Sequence, residues 1–317
     1  MKKKIIKICI IFVMVFSLTG CTKYLKDDSK KVIQNEKTGQ NVTKNILCKP
    51  TDKEMLKIYE KYNKTSKDKV NINKLEDCES MKVFGGSYDG LWTSIFVKPL
   101  AWLIIQVGKL VKSYGLAIIL TTLLIRGIAY PFTKKTALQS ENMKKAKPEL
   151  DKLEKKYKNK NDNESMMRKS QEMMIIYKKY EINPMSGCLF SFIQIPLFFA
   201  FYEAISRIPA IFEETFIGFQ LGTSPAVAAF SQGKYYYLIF IILILLATYF
   251  SFKLNSGAAM SEEQQKQMKT MTNFMVIFMT IAAFSISSGI AIYWITSNLF
   301  TIYQNLMVKK VKKNAKV

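Results

Sequence analysis

Residues 115–132 read GLAIILTTLLIRGIAYPF, an apolar run that is interrupted by a single charged side chain, Arg126. A guanidinium keeps its charge at physiological pH, and at the centre of a membrane-spanning helix it costs roughly 2.5–3.5 kcal/mol on insertion scales. We therefore expect a water-filled intramembrane cavity around Arg126, which receives a polar or anionic part of another molecule. The alternative is that the side chain snorkels to the cytoplasmic edge, which Lys134 marks a little later in the chain.

Long apolar blocks characterise the rest of the chain, in which 49% of the 317 residues are hydrophobic and Lys plus Arg (47) outnumber Asp plus Glu (24). This composition predicts an all-α polytopic membrane protein. The absence of His excludes imidazole catalysis and His-ligated zinc sites, and the chain has no phosphate-binding loop for ATP. We therefore expect no enzyme activity, no catalytic residue, no metal and no cofactor.

The N-terminus has the pattern of a secretion signal over residues 1–20. Several lysines precede an apolar stretch that ends in LTGC at residues 18–21. This ending resembles the lipobox of bacterial lipoproteins, in which the cysteine thiol accepts diacylglycerol. The resemblance implies that the first twenty residues are removed and that Cys21 anchors the mature N-terminus to lipid on the outer face.

Residues 21–91 are interpreted as an extracellular tether, because residues 22–90 carry 15 Lys and 11 acidic side chains with few apolar positions. Met55, Tyr59 and Tyr62 can form one short amphipathic helix face within it. Cys48 and Cys78 are candidates for a disulfide outside the cell, and free thiols are the alternative.

The next segment, residues 92–114, has apolar side chains at helical spacing on one side and polar ones on the other. We expect an interfacial amphipathic helix, with Trp92 and Trp102 at headgroup level and Pro99 arguing against an unbroken span. A sixth span here is the alternative, and it would invert the topology.

Five membrane-spanning helices are expected in total, at residues 115–133, 184–206, 235–254, 270–287 and 288–308. Their connections are a cytoplasmic hairpin (134–183), an extracellular loop (207–234), a cytoplasmic loop (255–269) and a basic cytoplasmic tail (309–317). The cytoplasmic side is assigned from the distribution of Lys and Arg, which are enriched in cytoplasmic loops. Residues 134–182 hold 14 of them, while residues 207–234 hold 2. The N-terminus is then outside and the C-terminus inside.

The cytoplasmic segment is patterned as an antiparallel helical hairpin. Apolar residues recur at 3-4 spacing in both halves, and NKNDN at residues 159–163 supplies the turn. Its seam residues are Met143, Ala146, Leu150, Leu153, Tyr157, Met166, Met173, Tyr177 and Tyr180. Its 14 basic and 8 acidic side chains leave a net charge of only +6, which favours docking to a protein or to lipid headgroups over nucleic-acid binding.

Polar side chains share faces in three of the expected spans. Thr122 lies one turn before Arg126, and Gln194 shares a side with Ser191. The last span carries a polar stripe of Trp294, Asn298, Thr301 and Asn305. Each alone is more typical of an interhelical hydrogen bond than of function. Together with Arg126 they predict a hydrophilic groove walled by three helices.

Four stretches in this order resemble the YidC/Oxa/Alb family of membrane protein insertases: TTLLIRGIAYPFTKK (121–135), MKKAKPELDKLEKKYK (143–158), NPMSGCLFSFIQIPLFFAFYEAI (183–205) and SGIAIYWITSNLFTIYQN (288–305). The lipobox further resembles the Gram-positive branch, whose insertase is itself a lipoprotein. The likeness runs from about residue 90 to residue 308. Such an ordered set is far more specific than any one motif.

The resemblance implies a five-helix core with a groove that is open to the cytoplasm and the bilayer, and a hairpin needed for activity. The groove arginine falls on Arg126, and the substrate contacts fall on Thr122 and Trp294, with Tyr being common at the latter position. Gln194, on the family's Gln-x-Pro element, is a further candidate. Tyr293 and Asn298, beside Trp294 on the same helix, complete the predicted substrate-binding set.

The implied function is insertion and folding of integral membrane proteins. Nascent membrane proteins are the expected partners, with membrane lipids, and with the Sec translocon, signal recognition particle components or the ribosome as further candidates; no nucleic-acid partner is expected. The short basic tail argues against direct ribosome binding. A small-anion transporter and a non-catalytic assembly factor or lipid scramblase remain the alternatives, although the chain lacks the internal repeats of many transporters.

Overall fold

The computed structural model describes residues 22–85, 88–160, 162–183, 186–255 and 262–314. The predicted signal peptide (1–20) and the predicted lipid anchor Cys21 lie outside the described residues. Residues 256–261 of the predicted cytoplasmic loop and residues 315–317 of the predicted basic tail also lie outside them.

The described chain is mostly helical. The α-helices are α1 (Lys53–Thr65), α2 (Lys98–Val111), α3 (Tyr114–Tyr157), α4 (Asn163–Lys179), α5 (Ser186–Arg207), α6 (Pro209–Glu213), α7 (Ile239–Asn255), α8 (Glu262–Ala283) and α9 (Ser288–Asn314). Two short strands, β1 (Thr215–Phe216) and β2 (Phe219–Gln220), pair as an antiparallel hairpin. Single π turns occur at Thr93–Val97 and Val227–Ser231, and 3-10 turns at Ile72–Lys74, Cys78–Ser80 and Tyr235–Leu238.

These elements divide into two compact units. Of the described residues, the first unit takes those up to Thr121, together with Leu197–Phe240 and Ala283–Tyr293. The second unit takes Thr122–Pro196, Ile241–Ala282 and the residues from Trp294 onward. Several helices contribute residues to both units.

The N-terminal part of the first unit differs from the tether that the sequence predicted, because it has a hydrophobic core. The predicted face of α1 is buried in that core, and the Asp52 side chain caps the helix by accepting bonds from two backbone amides. The core consists of Leu25, Val42, Ile46, Met55, Tyr59, Tyr62 and Ile72. The low number of apolar residues did not predict this domain. A small core needs few apolar side chains when an amphipathic helix places several of them on one face.

A disulfide joins Cys48 to Cys78, whose Cα atoms are 4.8 Å apart. The bond closes a loop of 30 residues, and a covalent link is a common supplement to a core this small. We refer to residues 22–85 as the N-terminal domain.

The predicted interfacial helix forms over Thr93–Val111, beginning with the π turn and continuing as α2. Leu100 and Ile104 are buried as expected, with Ala101, Ile105 and Gly108. Pro99 does not interrupt the helix, because it lies in the first turn of α2, where proline is tolerated. The helix is long and apolar enough to cross a membrane, so its length alone does not distinguish the interfacial from the spanning alternative.

The expected boundary between the first span (115–133) and the hairpin (134–183) is absent. Helix α3 runs without a break from Tyr114 to Tyr157, through Pro131 and Pro148. One continuous helix therefore contains both the Arg126 segment and the first arm of the hairpin.

Two further helical segments are also long and apolar enough to span a membrane among the described residues: α3 and Tyr235–Leu254. Thr272–Ala282 is a shorter apolar helix. Helix α9 has sufficient length, but polar side chains at positions 297–305 lower its hydropathy. The structure thus contains several apolar helices, and the total of five membrane-spanning helices stays a prediction.

The hairpin core lies in the second unit, where α3 packs against α4. Helix α3 ends at Tyr157, α4 begins at Asn163, and the Asp162 side chain caps α4. The core contains Met143, Ala146, Leu150, Tyr177 and Ile182, with Met173, Ile176 and Tyr180 packed against it. Most of the predicted seam is confirmed, but Met166 is exposed and therefore belongs to another face of α4.

Two carboxylates connect the arms of the hairpin. Each accepts one hydrogen bond from a lysine and one from a tyrosine across the hairpin: Glu149 from Lys179 (2.5 Å) and Tyr180 (2.8 Å), and Glu172 from Lys156 (2.7 Å) and Tyr157 (2.8 Å). These bonds hold the pKa of both carboxyl groups below its ordinary value, and in each case the bond from the lysine has the largest effect.

We predict that the hairpin loosens in acid. Because the folded-state pKa of Glu149 and Glu172 is lowered, their stabilisation is complete above the ordinary value of 4.5 and is lost as the pH falls below it. Hydrogen exchange of hairpin peptides, corrected for the intrinsic rate, should accelerate between about pH 6 and about pH 3. The double variant Glu149→Gln/Glu172→Gln should weaken this pH dependence.

Glu164→Gln is the matched control, because Glu164 pairs with Arg168 within α4 rather than across the hairpin. The control should exchange as the unaltered protein does. Equal acceleration in the double variant and the unaltered protein would contradict the proposed role of the two carboxylates.

Candidate functional site

Arg126 lies on α3 with 5% of its surface exposed, and its contacts bring three helices together within the second unit. Its Nη2 donates a hydrogen bond to Gln194 Oε1 on α5 at 2.7 Å. The same nitrogen donates to the Ser297 hydroxyl on α9. Both acceptors are neutral, so these bonds solvate the guanidinium without cancelling its charge.

The other predicted site residues of the second unit lie on the same helices. Thr122 is fully buried one turn before Arg126 on α3. The indole Nε1 of Trp294 donates to Thr248 Oγ1 on α7 at 2.9 Å, and the ring is 8% exposed. Asn298 donates to the Trp294 carbonyl of its own helix at 2.8 Å. The bond that Asn298 makes is thus intrahelical.

Tyr293 belongs to the first unit, unlike the other five predicted residues. Its ring is fully buried and stacks on Phe201, with the ring centroids 4.2 Å apart and an interplanar angle of 15°. This packing is typical of a core tyrosine.

Sequence reasoning missed three residues that connect helices in the second unit: Ser297, Thr248 and Gln304. Gln304 Oε1 accepts a bond from Thr133 on α3 at 2.9 Å. Ser297, Thr301 and Gln304 follow a 4-3 spacing, so a second polar stripe beside the predicted one was present in the sequence. No spacing signal pointed to Thr248, because α7 is otherwise almost wholly apolar.

A second buried cation, Arg207, lies at the end of α5 in the first unit. Arg207 forms an i,i+4 ion pair with Glu203, with Arg207 Nη1 3.6 Å from Glu203 Oε2. Arg207 also binds Asp89 (2.8 Å) and the Asn45 carbonyl (2.7 Å), which ties the N-terminal domain to α5. Trp92 is 3% exposed and donates to Glu203 at 3.0 Å, so its indole packs inside the protein. Its location at headgroup level stays a prediction. The carboxylate gives the indole N–H a buried partner.

Several described helices are long and apolar enough to cross a membrane, so the class of the protein is a helical membrane protein. The comparisons with known proteins specify the class further. Residues 106–316 match the family model described as the 60Kd inner membrane protein.

Three curated relatives are membrane protein insertases of similar length. YidC of Oceanobacillus iheyensis is 35% identical over 223 residues, which cover 70% of this chain and 85% of that protein. YidC 2 of Bacillus anthracis is 36% identical, covering 69% and 82%, and MisCA of Bacillus subtilis is 36% identical, covering 70% and 82%.

A solved structure described as an active YidC insertase with its first transmembrane domain resolved aligns with a TM-score of 0.47 and 22% identity. The alignment covers 67% of this chain and 46% of that one. The family match and the relatives establish that this chain belongs to the YidC family of membrane protein insertases. It is accordingly an insertase that acts on nascent membrane proteins, and it is not an enzyme.

We predict that the indole–hydroxyl bond couples α9 to α7. Trp294→Phe keeps an aromatic ring but leaves Thr248 Oγ1, which is buried, without this donor. The variant should lose about 1 kcal/mol of unfolding free energy in detergent. Thr248→Val should lose a similar amount, and the double variant should lose clearly less than the sum of the two.

Trp102→Phe on α2 is the control for removal of an indole N–H, and it should be insensitive to Thr248→Val. Strictly additive losses for Trp294→Phe and Thr248→Val would show that the bond does not stabilise the protein.

Proposed function

We propose that this chain inserts its clients through a hydrophilic groove centred on Arg126, walled by α3, α5 and α9. The observation that carries the proposal is the buried guanidinium, which donates to Gln194 on α5 and to Ser297 on α9 and so brings the polar groups of three helices together. Thr122, Trp294 and Asn298 are proposed as further substrate contacts. Tyr293, the residue before Trp294 on α9, is proposed as an additional aromatic side chain for substrate binding.

The proposed arrangement in the membrane has five spans, formed by the apolar parts of α3, α5, α7, α8 and α9. The distribution of Lys and Arg supports a cytoplasmic hairpin and C-terminus. The N-terminal domain is then extracellular, which agrees with its cystine, and Cys21 carries a lipid anchor in the outer leaflet of the bacterial plasma membrane. Residues 92–114 are proposed to lie along the interface rather than cross it.

The first step of the proposed mechanism is exchange of hydrogen-bond partners at Arg126. A substrate carboxylate forms an ion pair with the guanidinium in which both partners are charged, and Arg–carboxylate pairs are frequently bidentate. Gln194 and Ser297 are released and can bind the polar backbone of the entering segment. The groove thereby lowers the desolvation cost of a short hydrophilic segment on its way outward.

Transfer of the apolar substrate helix into lipid supplies the driving force in this mechanism. Burial of apolar surface is favourable, and the described faces of α7 and α8 present exposed apolar side chains along which such a helix can slide. Exposed members include Ile242, Leu246, Phe250, Phe274, Phe278 and Ile281. The cycle needs no bound nucleotide.

The proposed partners follow from this route. Nascent chains enter from the cytoplasm, where the hairpin offers a charged docking surface for a protein or for lipid headgroups. The Sec translocon, signal recognition particle components and the ribosome are proposed as proteins that deliver or share these clients.

We predict that Arg126→Ala lowers insertion of single-span substrates with acidic translocated segments by about ten-fold or more, because one charge-assisted bond is removed. Arg126→Lys should retain most of the activity, because the charge is kept. Insertion is measured in a depletion strain and in proteoliposomes, with a paired substrate in which the acidic residues are replaced by Asn or Gln. The Asn/Gln substrate should be affected much less.

Lys74→Ala removes an exposed cation of the N-terminal domain, far from the hairpin in sequence, and is the control, which should insert both substrates normally. Flux of a small anion through the same vesicles is measured in parallel. Full insertion of the acidic substrate by Arg126→Ala would exclude the mechanism, and Arg126-dependent anion flux without insertion would favour a transporter.

A further inference from the structure

A cavity of about 210 Å³ lies within the first unit, beside the N-terminal domain. Its walls come from residues 24–43 of that domain, from residues 202–227 at the end of α5 and the following loop, and from residues 285–290 at the start of α9. Residues 24–43 precede the segment that matches the insertase family, which begins at residue 106. The cavity is therefore a feature that the family membership does not explain.

The walls of the cavity are already fixed by direct contacts. Thr43 donates to the Ser206 carbonyl at 2.8 Å, and Thr223 donates to the Thr38 carbonyl at 2.7 Å. Gly39 lies so close to the loop that a Cβ atom there would be 1.9 Å from a Val227 methyl carbon. A preformed cavity loses little conformational entropy when a ligand binds.

The cavity is lined by uncharged residues throughout, although the chain carries a net charge of +23 and 22% of its residues are charged. An uncharged lining has no group to neutralise a phosphate, a carboxylate or a cation, and burial of an unpaired charge is costly. The lining therefore favours a neutral ligand.

The polar lining combines amide side chains with aromatic rings. Gln34 Nε2 donates to Asn41 Oδ1 at 2.9 Å, and this bond leaves the two N–H donors of the Asn41 amide uninvolved. The phenol oxygens of Tyr24 and Tyr202 lie 3.3 Å apart, and each hydroxyl can both donate and accept. Amides and hydroxyls that bind in both senses, next to aromatic faces that pack on C–H groups, match the surface of a sugar ring.

One hydroxyl group in the wall of the cavity lacks a hydrogen bond within the described part of the chain. The Ser287 hydroxyl oxygen is buried and has no hydrogen-bond partner among the residues that the structure describes. An orphaned buried hydroxyl is destabilising, and a ligand hydroxyl that reached it would remove the penalty.

We propose that this cavity binds one neutral sugar ring, presented either as a free saccharide or as the headgroup of a glycolipid. The volume corresponds to about seven water molecules, which suits a single ring rather than an oligosaccharide. Binding of the ring joins the N-terminal domain to the loop after α5 and to the start of α9.

The test uses the full chain in lipid nanodiscs without glycolipid. Saturation-transfer NMR with methyl glucoside and methyl galactoside detects a free sugar, and nanodiscs that contain a monoglycosyl diacylglycerol, compared with diacylglycerol alone, detect the headgroup. Thermal unfolding measured in parallel should shift upward with the ligand that binds. Transfer to either sugar, or a shift with the glycolipid alone, identifies the source.

Two variants locate the site. Ala226→Phe fills the cavity without removal of any side-chain hydrogen bond and should abolish binding. Asn41→Asp keeps the oxygen that accepts from Gln34 but loses the amide donors and adds a charge, and it should weaken binding about ten-fold. Asn73→Asp, at an exposed amide of the same domain, is the control and should bind normally.

The absence of signal with both sugars and with the glycolipid would overturn the proposal, since the cavity would then hold only water. Binding that survived both Ala226→Phe and Asn41→Asp would also overturn it, because the ligand would lie elsewhere. If Ala226→Phe fails to fold, Asn41→Asp decides the question by itself. Insertion activity is not the readout, so failure here is distinguishable from failure of the Arg126 mechanism.

Discussion

A guanidinium that cannot lose its charge must donate hydrogen bonds to nearby acceptors wherever it is buried, and this requirement organises the second unit of the protein. Arg126 meets it by drawing Gln194 from α5 and Ser297 from α9 toward α3. Both of these acceptors are neutral, and each accepts a bond from a charged donor. The same contacts therefore solvate the guanidinium and hold three helices together.

The apolar periodicity, the hairpin seam and the Arg126–Gln194 wall follow from the sequence, because helical spacing defines which residues share a face. Spacing does not reveal how neighbouring helices are rotated against each other. Ser297 and Asn298 are adjacent in sequence, yet Ser297 reaches α3 while Asn298 bonds to its own helix. Family resemblance pointed to Trp294 but not to its partner Thr248, for the same reason.

The N-terminal domain shows a different limit of sequence reasoning. A high density of Lys with few apolar residues is typical of a tether, but amino-acid composition does not reveal disulfides or contacts between residues far apart in sequence. Here a disulfide closes the domain, and buried Arg207 ties it to α5 through Asp89 and the Asn45 carbonyl. A buried arginine at the end of one helix thus supports a domain that begins far away in sequence.

Three polar side chains of α9 form hydrogen bonds with the backbone of their own helix. Asn298, Thr301 and Asn305 each donate to the carbonyl four residues earlier, so their bonds persist when a neighbouring helix moves away. Two of its bonds reach α3. Thr133 donates to Gln304, a bond between neutral side chains worth about 1 kcal/mol net, and Arg126 donates to Ser297, a bond from a charged group worth about 1.5–3 kcal/mol net. Breaking these two bonds costs less when water or a polar substrate segment takes the vacated positions. The proposed groove can then open for a client without unfolding α9, because the intrahelical bonds remain.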